Sequence, residues 1–147
     1  MALAETFFCQ GQIFLVCLHR MYRELTQGIE VLVQPEYLPH ESHPEAAQFV
    51  FAYHITITNQ GETEVQLMSR HWIITDGDGV VHEVKGPGVV GEQPKLVPGQ
   101  SHKYSSFCPL QTPTGNMRGT FQMVNHLGAK FDVRIPLFFL RDLRNIH

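Results

Sequence analysis

The chain has 147 residues, with 11 basic and 14 acidic side chains and a net charge of −3. One domain accounts for that length, on the usual scale of about 100–200 residues each. Folding such a chain buries roughly 69% of its extended surface, enough for a core without disulfides or a structural metal. With 43% hydrophobic and 17% charged residues, the composition excludes disorder and a polybasic nucleic-acid surface. No apolar run approaches the roughly 20 residues that span a bilayer.

Three cysteines, Cys9, Cys17 and Cys108, are odd in number and irregular in spacing. They form no disulfide framework and point to a reducing, cytoplasmic setting. The nine histidines would carry the net charge from −3 to +6 if all were protonated, so surface electrostatics should change around the imidazole pKa of about 6.5.

Met1 to Arg20 differs from the rest. Glu5 is the only charge before Arg20, so the basic n-region of a secretory signal is missing. Ile13 to Leu18 is apolar but short, too short for a span. Residues 1–22 read as a loose, disordered extension, or as an upstream start with Met21 as the natural one, and a single domain is expected over 23–147.

From Ile29 the dominant period is two. Ile29 to Gln34 is β-branched and should close at Pro35, with a proline-rich loop to Glu45. Phe49, Phe51, Tyr53, Ile55 and Ile57 then alternate with smaller or polar residues, as in an antiparallel strand with one face in a core. Val65 to Thr75 and Val80 to Lys85 are joined by Asp76-Gly77-Asp78-Gly79, a hairpin signal because glycine accepts positive φ. Gly86 to Gly99 reads as a long loop, Ser101 to Phe107 as a strand and Cys108 to Asn116 as a second loop. Arg118 to Val124 and Lys130 to Ile135 flank Asn125-His126-Leu127-Gly128, and Leu137 to Leu140 should be a short tail behind Pro136. About seven strands without helical periodicity predict an all-β chain, a two-sheet antiparallel β-sandwich of the fibronectin type III or immunoglobulin kind.

Gly86-Pro87-Gly88-Val89-Val90-Gly91 matches G-x-G-x-x-G. In a dinucleotide fold the motif opens a helix whose N-terminus holds a pyrophosphate, but Pro94 and Pro98 argue against a helix here. Gly86, Gly88 and Gly91 remain candidates for an anion or pyrophosphate loop made of backbone N–H groups; a sandwich loop that needs glycine for its backbone angles is the plainer explanation. Asp76 to Gly79 fails as a calcium loop, since Val80 and Pro87 stand where ligands belong. His40 and His43 with Glu41 and Glu45 make too sparse a set for zinc, so neither a metal site nor a cofactor is expected. No G-x-S-x-G elbow or Cys–His pairing marks a nucleophile, and Cys108 reads as structural, so no enzymatic activity is predicted. Tyr37, Arg70, His71, Trp72, Lys85, Lys103 and Arg118 offer aromatic and basic groups for binding, Trp72 more readily as core. Arg70, His71 and Arg118 are the predicted partner surface, because an arginine at a strand end needs an anionic partner.

Several strings together resemble one family. They are Gln34-Pro35-Glu36-Tyr37-Leu38-Pro39, Phe49 to Ile57, Arg70-His71-Trp72-Ile73-Ile74-Thr75-Asp76 and Gly86 to Pro94. Pro98-Gly99, Cys108-Pro109-Leu110, Thr112 to Gly119 and Ile135-Pro136 extend the match. Over roughly Gly28 to Leu140 the chain is similar to the bacterial ApaG family, and residues 1–20 fall outside the likeness. The resemblance implies a fibronectin type III-like sandwich and a link, through family labels, to cobalt and magnesium efflux. For a chain without a span that link can only be an accessory role. Related eukaryotic modules look like protein-interaction parts. The expectation is therefore a non-enzymatic domain that binds an unknown protein partner, with a homodimer through exposed sheet edges also open. A sensor of nucleotide pyrophosphate or divalent cations at Gly86–Gly91 is the alternative, and a hydrolase of such nucleotides ranks last.

Overall fold

The computed structural model describes residues 6–9, 12–15 and 20–142. Eleven strands follow in chain order: β1 (Thr6–Cys9), β2 (Gln12–Leu15), β3 (Tyr22–Thr26), β4 (Ile29–Tyr37), β5 (Phe49–Asn59), β6 (Val65–Asp76), β7 (Val81–Pro87), β8 (Lys95–Leu96), β9 (Ser101–Leu110), β10 (Thr114–Asn125) and β11 (Lys130–Arg141). β1 and β2 pair with each other antiparallel, apart from the other strands. The remaining residues of the expected N-terminal extension before residue 20 lie outside the described ones.

The other nine strands make the two sheets of an antiparallel sandwich. One runs β3-β4-β5-β9; the other runs β11-β10-β6-β7, with β8 also beside β6. The two strands beyond the expected seven are short. β3 enters through a hairpin closed by Gln27 (φ 47) and Gly28 (φ 82), a two-residue turn with both centres left-handed, which matches strand twist. β8 is two residues long, below the reach of any periodicity.

Four strands also run well beyond their expected bounds. β4 continues through Pro35 to Tyr37 because its pairing with β3 stops at Val33. Beyond that point β4 is an edge, where a missing N–H is tolerated. β11 continues through Pro136 to Arg141; it ends the sheet, and its register with β10 shifts between Met117 and Gly119. Cys108 to Leu110 belong to β9 and Thr114 to Asn116 to β10, so the second expected loop shrinks to 111–113.

The alternation in β5 buries Phe51, Tyr53, Ile55 and Ile57 against Leu67, Trp72, Met117, Phe121 and Phe138 of the facing sheet. Trp72 is 2% exposed. Its indole meets Tyr53, Phe138 and Phe121 edge to face, with centroids 5.2, 5.9 and 6.5 Å away, a geometry that suits aromatic quadrupoles. β3 closes one side of the sandwich onto β11, where the Arg134 N–H donates to Thr26 Oγ1 at 3.2 Å and Arg134 Nε lies 3.4 Å from Glu24. Asp76 Oδ1 accepts the N–H groups of Asp78 and Val80 at 2.9 and 3.0 Å, and with Gly79 at φ +82 this forms the expected β6–β7 hairpin turn.

Candidate functional site

The glycine-rich segment forms a tight hairpin folded back on β6. The Gly88 N–H donates to Met68 O at 2.8 Å, and Val89 and Glu92 exchange a pair of backbone hydrogen bonds at 2.8 and 3.0 Å. Val90 (φ 47) and Gly91 (φ 78) form the two-residue turn between them, and Val89 is wholly buried beneath. Each glycine has its own geometric cause. A Cβ on Gly86 would sit 3.0 Å from Arg70 Nη1, one on Gly88 2.4 Å from Glu92 O, and Gly91 is left-handed in open space. The N–H groups of Gly88, Val89 and Glu92 are therefore committed inside the protein. Val90 and Gly91 are both left-handed, whereas an anion nest alternates right- and left-handed residues.

Arg70 secures this hairpin. Its Nη1 donates to the carbonyls of Pro87 and Gly88, both at 3.0 Å. Its register neighbours are Phe121 on β10 and Gly86 on β7, and Phe121 is a core residue. Arg70 thus stands on the inner side of the sheet, while His71 faces outward.

The outer side carries a basic row assembled from four strands. Arg134 of β11 pairs with Thr120 of β10, Thr120 with His71 of β6, and His71 with Lys85 of β7. The next row places Arg118, Ile73 and Glu83 side by side. His71 Nε2 lies 3.3 Å from Glu83 Oε2. Ser69 Oγ donates to Gln122 Oε1 and Gln122 Nε2 to Thr120 Oγ1, both at 2.8 Å. A hollow of about 270 Å³ opens between Ser69, Arg70, His71, Lys85, Gly86 and Gln122. Among the described residues, Lys85 and Arg118 have no acidic partner. Of the three residues predicted for a partner surface, His71 and Arg118 share the outward phase with Lys85, whereas Arg70 is inward in phase and reaches the hollow only at its edge, with Nη1 bound to the hairpin carbonyls. Lys103 belongs to the other sheet. Tyr37 lines a cavity of about 670 Å³ at the end of the sandwich, beside Phe49, Asn116, Phe139 and Arg141.

Cys108 is 3% exposed, and burial pushes its thiol pKa up to about 11. At neutral pH it is a protonated thiol, the unreactive form. Among the described residues, no group of three or more His, Cys, Asp or Glu side chains is arranged to hold a metal ion, and no helix is long and apolar enough to cross a membrane.

The model of the ApaG domain family matches residues 39–125, more than half of the chain. The chain belongs to the ApaG family. Protein ApaG of Afipia carboxidovorans is 56% identical over 120 residues, which cover 82% of this chain and 92% of the relative. Protein ApaG of Rhodospirillum centenum is 54% identical over the same shares. Among solved structures, an ApaA protein from Bordetella pertussis superimposes with a TM-score of 0.78 at 48% identity. That match covers 84% of this ApaG chain and 98% of the other.

Proposed function

We propose that this ApaG domain is a non-enzymatic protein-interaction module whose outer β10-β6-β7 face engages an acidic surface of a partner protein. The observation that carries the reading is the pair of cations, Lys85 and Arg118, that lack acidic partners among the described residues and lie beside His71 on a continuous sheet face. Exposed cations on a rigid face raise association rates with an acidic partner and fix its orientation. Such binding in the cytoplasm is also the form that an accessory role in cobalt and magnesium homeostasis would take.

The test is site-specific photocrosslinking in cells from position 73, at the centre of the face. A discrete partner adduct is expected, lost in the Lys85→Glu/Arg118→Glu variant while the melting temperature stays the same. No adduct from position 73, or an adduct indifferent to both charge reversals, would overturn it.

A second reading is pyrophosphate capture beside Gly86–Gly91. It is favoured by the hollow next to Gly86, where Lys85 and His71 converge. Because the N–H groups of Gly88, Val89 and Glu92 are committed, and Arg70 Nη1 is bound to the Pro87 and Gly88 carbonyls, this reading depends chiefly on the Lys85 ammonium. Calorimetry with inorganic pyrophosphate should then show saturable heat that Lys85→Ala abolishes; flat titrations of the intact protein would remove it.

A further inference from the structure

The opposite sheet carries a second built feature. On its outer face Glu36 of β4, Ala52 of β5 and Phe107 of β9 are register neighbours in one row. Ala52 is outward in phase yet only 3% exposed, whereas Phe107 is 65% exposed. Beside this row a groove of about 570 Å³ opens, walled by Tyr37, Leu38, Pro39, Val50 and Phe107 with Glu36 and Glu41 at its polar side.

Both flanks of the groove are held by buried or bridging hydrogen bonds. Ser42, 7% exposed, donates its hydroxyl to Leu38 O at 2.7 Å and accepts the Val50 N–H at 2.9 Å. This pins the Pro39–Glu41 turn against β5. On the other flank His54 bridges Ser105 Oγ, 2.6 Å from Nδ1, and Glu36 Oε2, 2.9 Å from Nε2. A wall fixed before binding costs little ordering entropy when a ligand arrives.

The charge of the groove selects its occupant. Two carboxylates line it, and no lysine or arginine does; the basic groups beside it are His40 at the rim and His54, which already bonds one oxygen of Glu36. Glu41 has no cation partner among the described residues. A guanidinium or ammonium can stack on an exposed aromatic face while pairing with carboxylates, and arginine is a favoured anchor in such pockets. Strand addition to β9 is the less suitable use of this edge, because Lys103 and Pro109 within β9 blunt it.

We infer that the Glu36–Glu41–Phe107 groove is a docking site for an arginine or lysine side chain, flanked by apolar residues, from a segment of a partner protein. This site lies on the sheet opposite the basic face and stands or falls independently of it.

The test is an amide-resolved NMR titration of the full chain with the blocked peptide acetyl-Leu-Arg-Leu-amide. Acetyl-Leu-Gln-Leu-amide and acetyl-Leu-Glu-Leu-amide serve as controls. Saturable shifts are expected at 36–41, 50–52 and 107, with the glutamine peptide at least tenfold weaker and the glutamate peptide weaker still. Phe107→Ser and Glu41→Gln, both at the surface, should each weaken the arginine peptide tenfold or more and leave the remaining spectrum unchanged. Equal binding of the three peptides would overturn the inference, as would shifts confined to the Lys85–Arg118 face or arginine binding that persists in the double variant. A homodimer that dissociates on Phe107→Ser, seen by sedimentation, would assign the groove to a second copy and also overturn it.

Discussion

Gly119→Ala tests the packing of the central strands directly. Gly119 has no left-handed φ, so the backbone conformation alone would accept alanine. Space does not. A Cβ there would lie 2.1 Å from the His71 carbonyl oxygen and 3.2 Å from Trp72 Cα, both backbone atoms of the neighbouring strand. β10 and β6 lie inside the sheet order β11-β10-β6-β7, so β6 can retreat only by displacing Trp72 from its contacts with Phe121 and Phe138. Overpacking a core typically costs about 1–3 kcal/mol, and a backbone clash of this size belongs at or above the upper end, about 3 kcal/mol. Gly79→Ala is the matched control. Gly79 has φ +82, and a Cβ added to it would meet nothing within 4 Å, so only conformational strain of about 1 kcal/mol is at stake. At roughly 3 °C per kcal/mol for a chain of this size, the two variants should melt about 10 °C and about 3 °C below the parent by circular dichroism. Equal losses, or a larger loss for Gly79→Ala, would refute the steric reasoning.

Asn59 is fully buried and its side chain is satisfied on every side: Nδ2 donates to Thr63 O and Leu96 O at 2.8 and 2.9 Å, and Oδ1 accepts the Gly61 N–H at 2.9 Å. Asn59→Ala orphans those partners and should cost about 3 kcal/mol by urea denaturation, since unpaired buried groups cost roughly 1–3 kcal/mol. Arg70→Met removes both carbonyl anchors of the glycine hairpin. Cleavage by a protease within 88–93 should accelerate by tenfold or more, with a global loss of only about 1–2 kcal/mol. Alkali should destabilise the fold from about pH 9 upward. Burial raises the Cys108 thiol from 9 to about 11 and also raises the Tyr104 and Tyr53 hydroxyls, the latter opposed by a hydrogen bond from Ser106. Above its ordinary pKa each group is ionised in the unfolded chain and still protonated in the folded one, so folding weakens as pH rises. The Cys108 contribution is present below about pH 9 and lost by about pH 11; urea midpoints across that range should fall, and the fall should shrink in Cys108→Ala.

Local chemistry is legible in the sequence. The alternation of Phe49 to Asn59 encodes a half-buried strand, and Asp76 to Gly79 encodes the β6–β7 hairpin because Asp76 and Gly79 act only on their own neighbours. Trp72 is readable as core, and the ordered strings from Gln34 to Pro136 mark the family. The strand continuations through Pro35 and Pro136 are not readable. A proline is tolerated or not according to whether its strand has a neighbour at that residue, and pairing is a long-range property.

The same distinction separates the candidate sites. G-x-G-x-x-G looks alike in one dimension whether its N–H groups face a phosphate or, as with Gly88, Val89 and Glu92, are committed at home. Arg70 and His71 are adjacent in sequence and opposite in space, because successive strand residues point to opposite faces. By itself the sequence determined the strand-rich class and the Asp76–Gly79 and Asn125–Gly128 turns, which arise from contacts within a few residues, and its ordered strings mark the family. The tertiary structure alone decided that Arg134, Thr120, His71 and Lys85 form one row, and that Glu36, Ala52 and Phe107 form another. Such rows exist only once strands distant in the chain have settled into register.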